Sequence, residues 1–213
     1  MIHGHVLLSR REWSLLGALM TVVSALTVAQ RAHLIPLSDL ASSPHAVAEA
    51  RLWSLVTSAF LVSSPLFWSL LSLALFGALT LRFCGARVLL VSAFAGHIAS
   101  TLVVYALLAL ARTFDPRAFE ALLKAPDYGV SAVSAAWLGA MASVSWRARN
   151  RTVRGKLATA LAVLVVALFG LVLRRHVDFF DLEHVVAFGI GVAVAVGLSR
   201  VASTRRVELG AVA

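Results

Sequence analysis

The sequence predicts an all-α polytopic membrane protein: a bundle of six helices with a short interfacial helix in the first outer loop. Two observations predict it. Of the 213 residues, 60% are hydrophobic and only 14% are charged, against about a quarter charged in a soluble domain. The charges also fall in short runs, leaving apolar stretches long enough to cross roughly 30 Å of hydrocarbon.

The spans follow in chain order. Arg10 and Arg11 precede the uncharged stretch Trp13–Gln30. That stretch is longer than the apolar region of a signal peptide and no small-x-small cleavage site follows, so Trp13–Ala29 reads as a retained first span. The next uncharged stretch, Leu52–Leu81, is too long for one span. Ser63-Ser64-Pro65 divides it, because Pro65 disfavours helix at the residue before it. Leu52–Val62 then reads as the interfacial helix and Leu66–Leu81 as the second span. The third is Val88–Leu110, the fourth Tyr128–Trp146, the fifth Leu157–Leu173 and the sixth His184–Ser199. Val201–Ala213 reads as a free tail, and the whole chain as one domain.

Lysine and arginine orient the bundle. With the N-terminus in the cytoplasm, the inner segments hold Arg10, Arg11, Arg82, Arg87, Arg147, Arg149, Arg151, Arg154, Lys156, Arg200, Arg205 and Arg206, most of the 19 basic residues. The loop Arg147–Lys156 carries five of them and no acid. Both termini are therefore expected inside, in a multi-pass protein of the plasma (inner) membrane. The net charge of +9 is then topology rather than a nucleic-acid footprint, since no nucleic-acid motif accompanies it. Cys84 is the lone cysteine, which excludes an internal disulfide and a cysteine-rich metal site.

Ionisable residues inside spans are costly, and a functional role is their default reading. The expected span interiors hold His97 and His184 but no Asp or Glu. That argues against carboxylate-based ion transport and against acid-rich bundle metal sites; neither metal nor cofactor is expected. His97 counts to near mid-bilayer, deeper than the fourth span's outer end. His184 opens a helix in which Ala187 and Gly191 stand four apart, a face that admits another helix closely. In the fourth span, Gly129-Val130-Ser131-Ala132 opens the helix, and Ser131 and Ser134 share a face. For each serine alone, a bond back to its own helix is the commoner use. The fourth and sixth spans run the same way, so Ser131 and His184 fall at similar depth. A serine hydroxyl next to an imidazole is the minimum for nucleophilic catalysis.

This pattern resembles the rhomboid family of intramembrane serine proteases along nearly the whole chain. Gly129-Val130-Ser131-Ala132 is similar to the family's Gly-x-Ser-Gly/Ala. His184 with Ala187 and Gly191 is similar to its histidine-and-glycine sixth helix. The resemblance implies a rhomboid-like bundle in which Ser131 is the nucleophile and His184 the general base. Transmembrane proteins would be its substrates, cut near the outer end of their helices without a cofactor. In place of the family's His-x-x-x-Asn, the second span reads Trp68-Ser69-Leu70-Leu71-Ser72. The oxyanion and supporting candidates are then Ser72, His97, Gly129 and Ser134, with the Ser131 backbone N–H. Two alternatives stay open. One is a catalytically inactive rhomboid-like protein that binds membrane helices as chaperone or scaffold. The other is a small-solute transporter or channel, for which neither an internal repeat nor an intramembrane carboxylate is visible.

Overall fold

In a computed structural model of the chain, the described residues are 8–63, 65–148 and 181–211, and they are helical apart from their connections. Helix α1 (Arg10–Arg31) starts ahead of the expected Trp13 because Ser9 and Glu12 form a reciprocal capping box: the Glu12 N–H donates to Ser9 Oγ, and the Ser9 N–H to the Glu12 carboxylate at 2.8 Å. Helices α5 (Leu66–Cys84) and α6 (Ala86–Arg112) are joined by Gly85 alone. Its φ of 85° lies in the left-handed region, where a side chain would strain the backbone. Helix α8 spans Val130–Ala148, and α9 spans Asp181–Ala211. Helix α9 therefore continues over residues expected to form a free tail. The expected fifth span, Leu157–Leu173, lies outside the described residues.

Four of these helices, α1, α5, α6 and α9, are long and apolar enough to cross a membrane. They wear apolar residues outward, among them Val22, Phe67, Trp68, Leu75, Leu102 and Leu107, all exposed. In a chain of this composition such faces belong against lipid. Helix α8 has 19 residues but is richer in serine. It packs against α5, α6 and α9 together, so much of its surface meets protein. Trp137, fully buried, sits at its centre and donates its indole N–H to the Leu89 carbonyl at 2.9 Å. Gly77 of α5 leaves room for that ring. Around it Leu16, Val23, Leu73, Leu81, Leu89 and Val133 form the main apolar cluster.

The connection between α1 and α5 departs from expectation. Instead of one helix over Leu52–Val62, it makes α2 (Leu37–Leu40), α3 (Pro44–Ala48), α4 (Ser54–Thr57) and a 3₁₀ turn over Ser58–Phe60, after which Leu61 is extended. Bonds to earlier parts of the loop stop the turns from merging. Thr57 Oγ1 donates to the Leu40 carbonyl at 2.7 Å, and the Trp53 indole N–H to the Asp39 carbonyl at 3.2 Å. Leu55, Ser58, Ala59, Leu61 and Val62 are buried, so this loop is tucked into one end of the bundle. A further helix, α7 (Pro116–Lys124), covers Tyr105 and Leu108 of α6 with Phe119, Leu122 and Leu123; sequence analysis treats that stretch as loop.

Candidate active site

The α8–α9 contact sets the site's geometry. Gly139 of α8 lies against the Phe188 backbone, and Gly191 of α9 against the Ala136 carbonyl. Each glycine admits a partner backbone where a methyl group has no room. These two contacts set the Ala136–Gly139 turn of α8 against the Phe188–Gly191 turn of α9. Later in both helices the Arg147 guanidinium donates to Ser199 Oγ and to the Ala195 carbonyl, so residue numbers rise together along the seam and the helices run parallel, with Gly139 level with Gly191. Stepped back to the near end, this register brings Ser131 level with Glu183, beside His184. Ala132, Ala135, Ala136 and Ala187 fill the seam between them.

Ser131 is the second residue of α8 and is exposed. Its hydroxyl donates to the Tyr128 carbonyl over a long 3.4 Å. The first-turn N–H groups of a helix have no intrahelical acceptor and carry its positive end. His184 is in the first turn of α9, with 15% of its side chain exposed and Nδ1 3.9 Å from Asp181 Oδ1.

The supporting candidates divide. Ser72 donates to the Ser69 carbonyl at 3.0 Å, and Ser134 to the Val130 carbonyl at 2.9 Å. Both hydroxyls are bonded into their own helices. The Gly129 N–H donates to the Ser58 carbonyl at 2.8 Å, which fixes the entry to α8. His97 is fully buried, and it lies level with the entry to α8, whereas counting places it deeper than that end. Its ring lies directly against Gly129, two residues before Ser131, at a point where any side chain on Gly129 would collide with it. Counting along the helix fails because α6 has 27 residues, about 40 Å, and exceeds the hydrocarbon thickness.

A second correction concerns acids. The expected spans hold none, yet Glu183, 3% exposed, is buried at the start of α9, which opens at Asp181. Its Oε1 accepts from Thr101 Oγ1 at 2.7 Å and Ser100 Oγ at 3.4 Å, and lies 3.3 Å from His97 Nδ1. His97 Nε2 in turn bonds Ser58 Oγ at 2.9 Å. Asp127, in the loop before α8, is buried as well. The hydroxyls of Tyr105 and Ser42 donate to its Oδ2 at 3.2 and 3.4 Å, and its N–H donates to the Ser42 carbonyl at 2.8 Å. Burial pushes the Asp127 carboxyl up to about 7, and the nearby Glu183 charge adds to the rise. One signal for this network is legible in α6: His97, Thr101 and Tyr105 recur every four residues on one face.

A family model described as Rhomboid domain matches residues 49–201. No curated protein and no solved structure matches the chain.

Proposed function

This chain belongs to the rhomboid family, and we propose that it is an intramembrane serine protease that cleaves transmembrane helices with Ser131 as nucleophile and His184 as general base. The observation that supports the reading is the parallel α8–α9 packing, set by the Gly139 and Gly191 contacts together with those of Arg147, in which the first turns of the two helices stand at similar height.

In the proposed mechanism the Ser131 hydroxyl attacks the scissile carbonyl while His184 takes its proton. His184 then returns that proton to the leaving amine, and a water, deprotonated by the same imidazole, releases the acyl group. The developing oxyanion is met by first-turn N–H groups of α8, that of Ser131 among them; one such donor lowers the barrier by about 3–4 kcal/mol. The alanine seam next to both residues lets the two helices approach closely enough for a two-residue site.

The membrane setting belongs to the same reading. The chain is proposed to lie in the plasma (inner) membrane with both termini cytoplasmic, on the strength of the basic Arg147–Lys156 loop. Ser131 and the α1–α5 loop are then external. The six-span count rests on the apolar run 157–173, and the buried turns around α4 stand near the outer interface.

A second reading, an inactive rhomboid-like protein that binds membrane helices, is favoured by one observation. The side-chain donors expected to support the site are engaged elsewhere: Ser72 and Ser134 in their own helices, His97 with Ser58 and Glu183. A fluorophosphonate probe separates the two. Labelling that disappears in Ser131→Ala and persists in Ser134→Ala supports the protease. Folded wild-type protein that takes no label at Ser131 overturns it and leaves the binding reading.

A further inference from the structure

Glu183 is a carboxylate sunk into an otherwise apolar bundle, adjacent in sequence to the proposed base. A buried charge of this kind is tolerated only when its acceptor sites are filled. Oε1 is met from α6: Thr101 Oγ1 donates to it at 2.7 Å, His97 Nδ1 lies 3.3 Å away, and Ser100 Oγ, which also bonds the His97 carbonyl at 3.0 Å, lies at 3.4 Å. On a helix, neighbouring residues project about 100° apart. When Glu183 is held against α6, the direction in which His184 projects is set by the backbone between them.

The same imidazole also supports the other half of the site. One nitrogen of His97 faces Glu183, and the other bonds Ser58. Gly129 packs on the ring and is tied by its N–H to the Ser58 carbonyl. The chain entering α8 and the first turn of α9 are thus both referenced to His97, one through a backbone contact and one through a carboxylate. Asp127 extends the cluster to Ser42 in the long loop.

Ser58, His97 and Glu183 have the hydroxyl–imidazole–carboxylate connectivity of a hydrolase triad. However, Ser58 and His97 are both 0% exposed, so no substrate carbonyl reaches that hydroxyl. The network therefore holds position rather than performing attack. Resting on the Ser131–His184 reading, we propose that Glu183 is the positioning residue of the site: its carboxylate, bonded to Thr101 and His97, fixes the outer turn of α9 so that His184 is presented to Ser131.

The test has two arms in full-length protein. In the first, Ser131→Cys/His184→Cys is introduced in a Cys84→Ser background, and the rate of oxidative cross-linking between the two sites is followed. Glu183→Gln, which keeps an oxygen acceptor but loses the charge, is expected to slow cross-linking several-fold, and Glu183→Ala more. Where Glu183→Ala does not fold, Thr101→Val takes its place. In the second arm, fluorophosphonate labelling of the native serine is separated into KI and kinact. Glu183→Gln is expected to lower kinact about ten- to a hundredfold with KI unchanged, because a displacement of about 1 Å at a reacting pair has that effect. Trp137→Phe, remote from the network, serves as a control matched for lost stability and should keep kinact.

If wild-type protein takes no label but cross-linking still depends on Glu183, the protease reading fails and the positioning role stands. If the sites cross-link equally with and without the Glu183 carboxylate, or do not cross-link in the parent, the positioning role is overturned. A matched loss of kinact in Trp137→Phe also overturns it, since general destabilisation then explains the effect.

Discussion

Gly191 of α9 lies directly on the main-chain carbonyl of Ala136 in α8, leaving no room for a methyl group. Gly139 makes the complementary contact on Phe188, so the two helices meet backbone to backbone. In a bilayer, where lipid tails are as apolar as leucine, such close packing replaces the hydrophobic effect as the force between helices.

The first prediction follows from that seam. Gly191→Ala and Gly139→Ala are expected to destabilise the protein by about 1–3 kcal/mol each, the usual range for overpacking. Gly189→Ala and Gly197→Ala, in the same helix as Gly191 but with none of the described residues within 4 Å of the added methyl, are expected to stay within about 0.5 kcal/mol of wild type. Unfolding in detergent measures all four. Equal effects across the set would mean that α8 and α9 do not meet along this face.

A second prediction concerns the centre of the bundle. Trp137→Phe keeps an aromatic ring but loses part of its volume and the indole bond to the Leu89 carbonyl, which still accepts from the Ser92 hydroxyl at 3.3 Å. Stability should fall by about 1–3 kcal/mol, from one lost buried hydrogen bond and the space the smaller ring leaves. Trp146→Phe, at an exposed position, should be close to neutral in the same assay.

The third prediction is a pH dependence. The Asp127 carboxyl ordinarily titrates near 3.8 and is pushed up to about 7 in the fold. Between these values the folded state holds a proton that the unfolded state has released, so the contribution of Asp127 to stability declines as pH rises from about 4 to about 7. It is level above that range. The slope is at most about 1.4 kcal/mol per pH unit. Asp127→Asn, a neutral mimic of the protonated acid, should remove this slope. The wild-type-minus-variant difference in unfolding free energy between pH 4 and 8 is the measurement, and a flat difference would contradict it.

The fourth prediction addresses the chemistry. His184→Ala should slow probe labelling of Ser131 by about 10²–10⁴-fold, the usual contribution of a general base. Ser72→Ala, whose hydroxyl bonds the Ser69 carbonyl, should change it little. A larger loss from Ser72→Ala than from His184→Ala would reassign the base and the donor alike.

Much of the fold is legible in the chain itself. The apolar runs locate α1, α5, α6 and α8 to within a few residues, and Pro65 marks the start of α5. The misses share a cause. Glu183 falls outside the expected sixth span because hydropathy ends the span at the first charge, whereas the helix continues to Asp181 and buries that charge against Thr101. The helix expected over Leu52–Val62 is broken into turns by bonds to Leu40 and Asp39, partners more than ten residues away. His97 is visible as an intramembrane histidine, but its contact with Gly129 depends on the tilt and reach of a 27-residue helix.

By itself the sequence determined that this chain belongs in a membrane, where most of its helices run, and that Ser131 and His184 are the residues to watch. Desolvation and helix periodicity act locally, so they can be read from neighbouring letters. Only the tertiary structure decided that Gly139 and Gly191 bring α8 and α9 backbone to backbone, and that Asp127, Glu183 and His97 gather into one buried network. Those relations join residues from distant parts of the chain. Each is selected by shape and by the need to satisfy buried polar atoms, conditions that exist only once the helices have packed.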